Sequence, residues 1–342
     1  MEISVIMPCY NSEKFVAEAI ESFLSQESND VELIIVDDGS SDGTLRVCKR
    51  YEKEYETVKC FSIKNAGAGH ARNYGLTKAE GKWIIYLDAD DLLLEGSLKN
   101  ILNKNILGSC LEVDIHYCPM LHSNITLSKP VEERKAEQVD SINHNIPKLE
   151  FWTSIYSKKF LQKNNIQFFE YRKQDIETAF RYRAFSKATN IEVHNDYPFV
   201  LNRENLESNT HTWNRYNLYS IKSKVYYALY RETTVYNDKD FLLEETIRNV
   251  VKYFTMSIIY TRDKDTLNDV KSLLRDVLKE TKGIGNAKIF GYKLVMVILN
   301  RVPFSLMLKR KDNVEKNEKK GSHVLTSSVM DRLKIISKKY VR

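Results

Sequence analysis

Along the first hundred positions apolar residues take two arrangements in turn. Near-continuous apolar runs at 3–7, 31–36, 58–63 and 83–87 have the length of strands. The segments between them, 14–26, 44–55 and 68–78, carry apolar residues at helical spacing, as Phe15, Ala19, Ile20, Phe23 and Leu24 do in the first. Runs that do not alternate with polar residues belong to strands buried on both faces, and a parallel sheet whose crossover helices cover it buries strands in that way. The pattern therefore predicts an α/β fold, a mostly parallel sheet with helices on both faces. Beyond 111 the pattern loosens into a mixed region to about 217, with a helix-like stretch at 174–188. The stretch 218–278 reads as mainly helical, and from 287 onward the chain is apolar and basic. The expected organisation is an α/β domain in two halves, 1–110 and 111–217, a helical region at 218–286, and a C-terminal segment at 287–342.

Ligands of such sheets bind at the carboxyl ends of the strands, and polar residues gather there. Pro8, Cys9, Tyr10 and Asn11 follow the first strand, Asp37 and Asp38 the second, and Asp88, Ala89, Asp90 and Asp91 the fourth. Two carboxylates one residue apart, Asp88 and Asp90, can share a hard divalent cation that also reaches phosphate oxygens. The alternative is a solvated turn in which Asp90 or Asp91 caps a following helix. A strand end carrying an acidic acceptor, as Asp37 and Asp38 provide, can take the imide N–H of uracil; the turn reading, with Ser41 or Asp42 capping the helix from Thr44, leaves these two acids unexplained. Asn65 to Gly75 contains Gly67-x-Gly69, but Arg72 stands where a dinucleotide-binding loop needs its third glycine. A glycine loop opening a helix with Arg72 in its first turns suits an anionic nucleotide; otherwise Arg72 is a surface helix residue. His194 and His211 stand apart in sequence and receive no role.

Composition narrows the class. Of 342 residues 42% are apolar and 29% charged, which suits a globular chain with a sizeable core. Five cysteines, odd in number and without a C-x-x-C pair, argue against a disulfide framework or a zinc ribbon. The net charge of +6 is concentrated at the end, where 301–342 carries 12 Lys or Arg against 4 Asp or Glu. A near-neutral body with a basic tail does not read as nucleic-acid binding. No stretch is apolar for the ~20 residues a membrane span takes, and no secretory signal is visible, so a cytoplasmic protein is expected. The basic, apolar segment 287–342 points to an anionic membrane surface as a partner.

The residues Ser4 to Asn11, Val36 to Thr44, Asn65 to Gly75 and Tyr86 to Asp91, in that order and spacing, resemble glycosyltransferase family 2. The resemblance is specific over 3–100 and looser to about 212. It implies a GT-A fold, Rossmann-like, followed here by the mainly helical C-terminal region. It also implies inverting transfer from a UDP-sugar donor to a glycan or lipid-linked acceptor, as in surface polysaccharide biosynthesis. By that resemblance Asp38 contacts uracil, Arg72 lies near the nucleotide, and Asp88 with Asp90 holds Mn or Mg on the diphosphate. Pro8, Tyr10 and Asn65 complete the expected substrate-binding set. The base is expected at Asp175, in the place of the family's Glu-Asp pair although Gln174 replaces the glutamate; the other reading of Asp175 is an acid favoured at a helix N-terminus. Rival readings are a sugar-1-phosphate nucleotidylyltransferase, which would open with a glycine-rich loop after the first strand, and an inactive glycan-binding or scaffold subunit.

Overall fold

The computed structural model describes residues 1–108, 112–128, 131–134, 151–170, 176–204, 215–233, 236–260 and 264–280. These fall into two compact units, one drawn from Met1–Arg172 and Ile176–Leu206, the other from Glu207–His323.

The first unit opens with β1 (Ile3–Cys9), α1 (Val16–Leu24), β2 (Val31–Asp37), α2 (Thr44–Glu54), β3 (Val58–Ser62), α3 (Ala68–Lys78) and β4 (Trp83–Tyr86). These are the expected elements, with ends moved by at most two residues. There follow β5 (Leu92–Leu93), α4 (Ser97–Asn103), β6 (Ile115–Tyr117), β7 (Met120–Asn124) and β8 (Glu132–Arg134). A 3₁₀ turn at Phe151–Thr153 leads to β9 (Ser154–Ser157), α5 (Lys158–Lys163), α6 (Ile176–Lys187), β10 (Ile191–Val193) and β11 (Val200–Glu204). Seven strands form one sheet in the order β10-β6-β9-β4-β1-β2-β3. All neighbours run parallel except β9, which is antiparallel to both β4 and β6. A second sheet of four strands, β5-β11-β7-β8, has no counterpart in the apolar pattern. Its strands are two to five residues long, too short for a period to register.

Strand alternation divides the core. Val5, Met7, Leu33, Ile35 and Ile85 point to the side covered by α1 and α2, where Ile20, Phe23, Cys48 and Tyr51 meet them. Ile6 and Val36 point to the other side, against α3. There the helix lies so close that a Cβ on Gly75 would stand 2.5 Å from Ile6 Cγ2. Tyr86, Phe151, Tyr156, Phe168 and Phe180 fill the adjoining space, with Phe168 and Phe180 stacked at 4.0 Å. Helices thus cover both faces, and the mixed sheet is the predicted α/β architecture. Cys9, Cys48, Cys60 and Cys118 are buried and unbridged, as the odd count suggested; Cys110 lies outside the described residues.

The helix-cap alternative for Asp90 and Asp91 fails. Strand β5 follows Asp91, and α4 begins only at Ser97. Asp42 does serve the start of α2, its Oδ1 accepting from the Thr44 N–H at 3.0 Å.

The second unit is helical among its described residues: α7 (Arg215–Glu232), α8 (Tyr236–Tyr260) and α9 (Lys264–Glu280). Leu243, Ile247, Val250 and Phe254 recur along α8 at spacings of three and four and pack with Val270, Leu274 and Val277 of α9. No helix among the described residues is long and apolar enough to cross a membrane. The apolar-basic segment expected at 287–342 lies outside them.

Candidate active site

Register brings the ends of β1, β2 and β3 to one level, Cys9 pairing with Asp37 and Asp37 with Ser62. Strand β4 runs parallel to β1 and ends at Tyr86 opposite Ile6, so the segments after all four strands leave the same edge of the sheet. Pro8 is buried in β1 and Tyr10 beyond it is 50% exposed. Asp37 is buried and accepts from Ser62 Oγ at 3.0 Å and from the Ser40 N–H, tying the β2 and β3 exits together. Asp38 is buried as well, and its two oxygens accept from the backbone N–H groups of Ala66 and Gly67, each at 2.8 Å. The glycine loop is therefore hung on the carboxylate of Asp38. Gly39 makes this approach possible: it holds φ +72°, and a Cβ there would stand 2.9 Å from Asn65 N. Asn65, partly exposed, sits in that same loop.

Arg72 is no surface residue. Its side chain is 3% exposed and donates from Nη2 to Asp88 Oδ1 at 2.6 Å, with Glu177 of α6 at 3.8 Å. The guanidinium lies over the rings of Phe151 and Phe168, 4.8 and 5.1 Å from their centroids, a stacking worth about 0.5–2 kcal/mol per ring. Burial opposes its charge, but Asp88 and then Glu177 outweigh burial and push its pKa up. Asn73 next to it clamps the 165–170 segment, accepting from Phe168 N–H and donating to Phe168 O and Glu170 Oε1.

The acidic loop after β4 is held from the other side by β11. The Arg203 side chain, fully buried, donates from Nε to the Asp90 carbonyl and from Nη1 to Glu18 of α1, both at 2.5 Å. The Arg203 N–H and Asn202 Nδ2 donate to the carboxylate of Asp91. Burial, with Asp90 and Asp88 close by, pushes the Asp91 carboxyl well above the usual range. Asp91 is thus a structural acid with its oxygens taken, whereas Asp88 is 31% exposed and Asp90 partly so. Asp88 and Asp90, one residue apart, present hard oxygen donors. That set fits a divalent cation.

Of the expected residues, Asp38, Asn65, Arg72 and Asp88 are linked through contacts of the glycine loop and α3. Asp90 lies on the Asp88 loop, and Pro8 and Tyr10 at the neighbouring strand end. Asp175 and His211 lie outside the described residues. His194 is not a lone histidine: it meets His116 and Glu192 in β6 and β10. Sequence reasoning gave no role to Glu18, Asn73 or Asn202 and offered Asp91 only as a helix cap. Their partners lie up to 185 positions away, so no local period could mark them; a charged Arg203 beside the apolar Val200 and Leu201 was the one visible signal.

Replacing Asp38 by Ala should loosen the 65–67 loop and weaken UDP binding by ~10-fold or more. A hydrogen bond to a charged group contributes about 1.5–3 kcal/mol, and this variant loses two. Calorimetry with UDP checks it; unchanged affinity would count against placing the nucleotide here.

Comparison with known proteins agrees with this architecture. A family model described as glycosyl transferase family 2 matches residues 4–106. The minor teichoic acid biosynthesis protein GgaB of Bacillus subtilis is 45% identical over 105 residues, 30% of this chain but only 12% of its own length. The cholesterol galactosyltransferase of Borreliella burgdorferi is 24% identical over 327 residues, covering 87% of this chain and 90% of its own. Among solved structures, residues 1–349 of Staphylococcus aureus TarS in complex with UDP-GlcNAc superpose with a TM-score of 0.61 at 21% identity, over 82% of this chain and 81% of that one. Residues 4–106, which hold all four motifs, match glycosyltransferase family 2, and the chain has the fold of the TarS structure.

Proposed function

We propose that the protein is an inverting glycosyltransferase that moves one sugar from a UDP-sugar to a glycan or lipid-linked acceptor, in surface polysaccharide biosynthesis. The observation that carries this reading is the convergence of Asp38, the 65–67 loop, Arg72 and Asp88 at one carboxyl edge of the sheet. Two named relatives support its terms: TarS was solved with UDP-GlcNAc, and the protein of B. burgdorferi is named a galactosyltransferase.

In this reading the nucleotide lies over the strand ends, its uracil at Asp38 and its diphosphate toward Asp88 and Asp90. Asp38 has given one lone pair of each oxygen to a backbone N–H, and a carboxylate oxygen keeps a further lone pair for an imide N–H. Arg72 sets the Asp88 carboxylate in place and brings a buried positive charge to the donor side. Asp88 and Asp90 would hold Mn or Mg, which when bound offsets the charge that develops on the departing UDP. Asp175 would accept the proton of the acceptor hydroxyl as it attacks the anomeric carbon from the face opposite the leaving group. Attack from that face is what inverts the centre. Glu177, two residues on and 41% exposed beside Arg72, is the neighbouring carboxylate to be set against it.

UDP release from a panel of UDP-sugars, measured with Mn or Mg and again with EDTA, tests the reading. One sugar should be turned over and EDTA should suppress it. Turnover of none of the panel, or equal rates with EDTA, would overturn the donor or the metal assignment respectively.

A further inference from the structure

A second cluster of potential ligands lies on the opposite face of the main sheet. Along β9 the residues alternate: Tyr156 joins the aromatic side with Arg72, while Ile155 joins the α1 and α2 side. His116 of β6 pairs with Ile155, which places it on the α1 and α2 side. Glu192 of β10 is its partner across the parallel pair, and His194, two residues further, continues the ladder through its N–H to Tyr117 O at 2.9 Å. Two residues apart along an extended chain, Glu192 and His194 present their side chains to the same face. The three converge: His116 Nδ1 is 2.8 Å from His194 Nε2 and 3.4 Å from Glu192 Oε2, and His194 Nε2 is 3.6 Å from that same oxygen.

We propose that His116, Glu192 and His194 form a transition-metal site, best suited to Zn²⁺, separate from the cation at Asp88 and Asp90. Bonds of ~2.0–2.2 Å from zinc to imidazole and carboxylate set the edges of a ligand tetrahedron at about 3.3–3.5 Å. Two of the three observed separations are near those edges. The third is an N–H···N distance that opens by about half an ångström when both nitrogens turn their lone pairs to a cation. With no cation the two neutral rings share one proton between them, and neither nitrogen is within hydrogen-bond reach of the carboxylate. Imidazole donors select zinc-like metals over magnesium. His116 is sealed beneath the ring of Trp83, at 4.7 Å between centroids, whereas Glu192 is 33% and His194 16% exposed. A metal could therefore enter from the β10 side, with water as a fourth ligand. It would clip β10, a three-residue edge strand, to β6.

The test uses the full chain stripped with EDTA and titrated with Zn²⁺ or with Co²⁺, whose visible d–d absorption reports a tetrahedral N/O site. The wild type should bind one equivalent and gain thermal stability with Zn²⁺. Glu192→Gln and His194→Ala, chosen because they are not core residues, should each weaken binding by at least ~100-fold, beyond what losing an outer-shell partner does, and lose the thermal gain. Asp90→Ala should bind as the wild type does. Folded wild-type protein that takes up neither metal, or variants that bind as tightly as it does, would overturn the site. Loss of uptake only in Asp90→Ala would assign the metal to the acidic loop instead.

Discussion

Asp90→Ala is expected to lose sugar transfer by roughly 10³-fold and to lose its response to Mn or Mg, because stabilising a leaving diphosphate is worth several kcal/mol. The fold should survive. Asp90 is partly exposed, and the contact that anchors its place in the loop, from Arg203 Nε to the Asp90 carbonyl, uses backbone that alanine keeps. Thermal unfolding within a degree or two of wild type, together with lost transfer, is the expected pair of results. Asp88→Ala makes the contrasting control. It strips the buried Arg72 of its 2.6 Å partner and should cost about 3 kcal/mol of stability, at the low end for a broken buried pair because Asp88 is 31% exposed. Transfer that persists in Asp90→Ala and resists EDTA would remove the cation from the proposal.

The second large effect concerns the base. Asp175→Asn should leave UDP-sugar affinity near normal and cut transfer by roughly 10² to 10⁴, the contribution of a positioned general base. Glu177→Gln should do far less to transfer, because that carboxylate stands 3.8 Å from the Arg72 guanidinium and its charge is already shared with a cation. Single-turnover transfer with a saturating UDP-sugar separates the two. If Glu177→Gln carries the loss and Asp175→Asn does not, the base is Glu177.

The first quarter of the chain was legible because each of its elements is long enough to carry its own period. Strands of four to seven residues and helices of nine to eleven let the apolar pattern mark β1 to β4 and α1 to α3 nearly to the residue. The strand-end rule then picked out Asp38 and Asp88, because in a parallel sheet every such end faces one edge whatever the rest of the chain does. The local sequence left the partners of these groups undetermined. That Arg72 is a buried cation lying over two phenylalanine rings, with Asp88 at its tip, comes from the packing of α3 against the sheet, so close that no side chain fits at Gly75. That Asp91 is a structural acid follows from β11, whose Arg203 and Asn202 reach back more than a hundred positions. His116 and His194, 78 positions apart, meet only because β6 and β10 are neighbours at one end of the sheet. Burial periods are properties of single segments and can be read one segment at a time; hydrogen-bond and ion-pair partners are properties of pairs of segments, and only their packing decides which pairs meet.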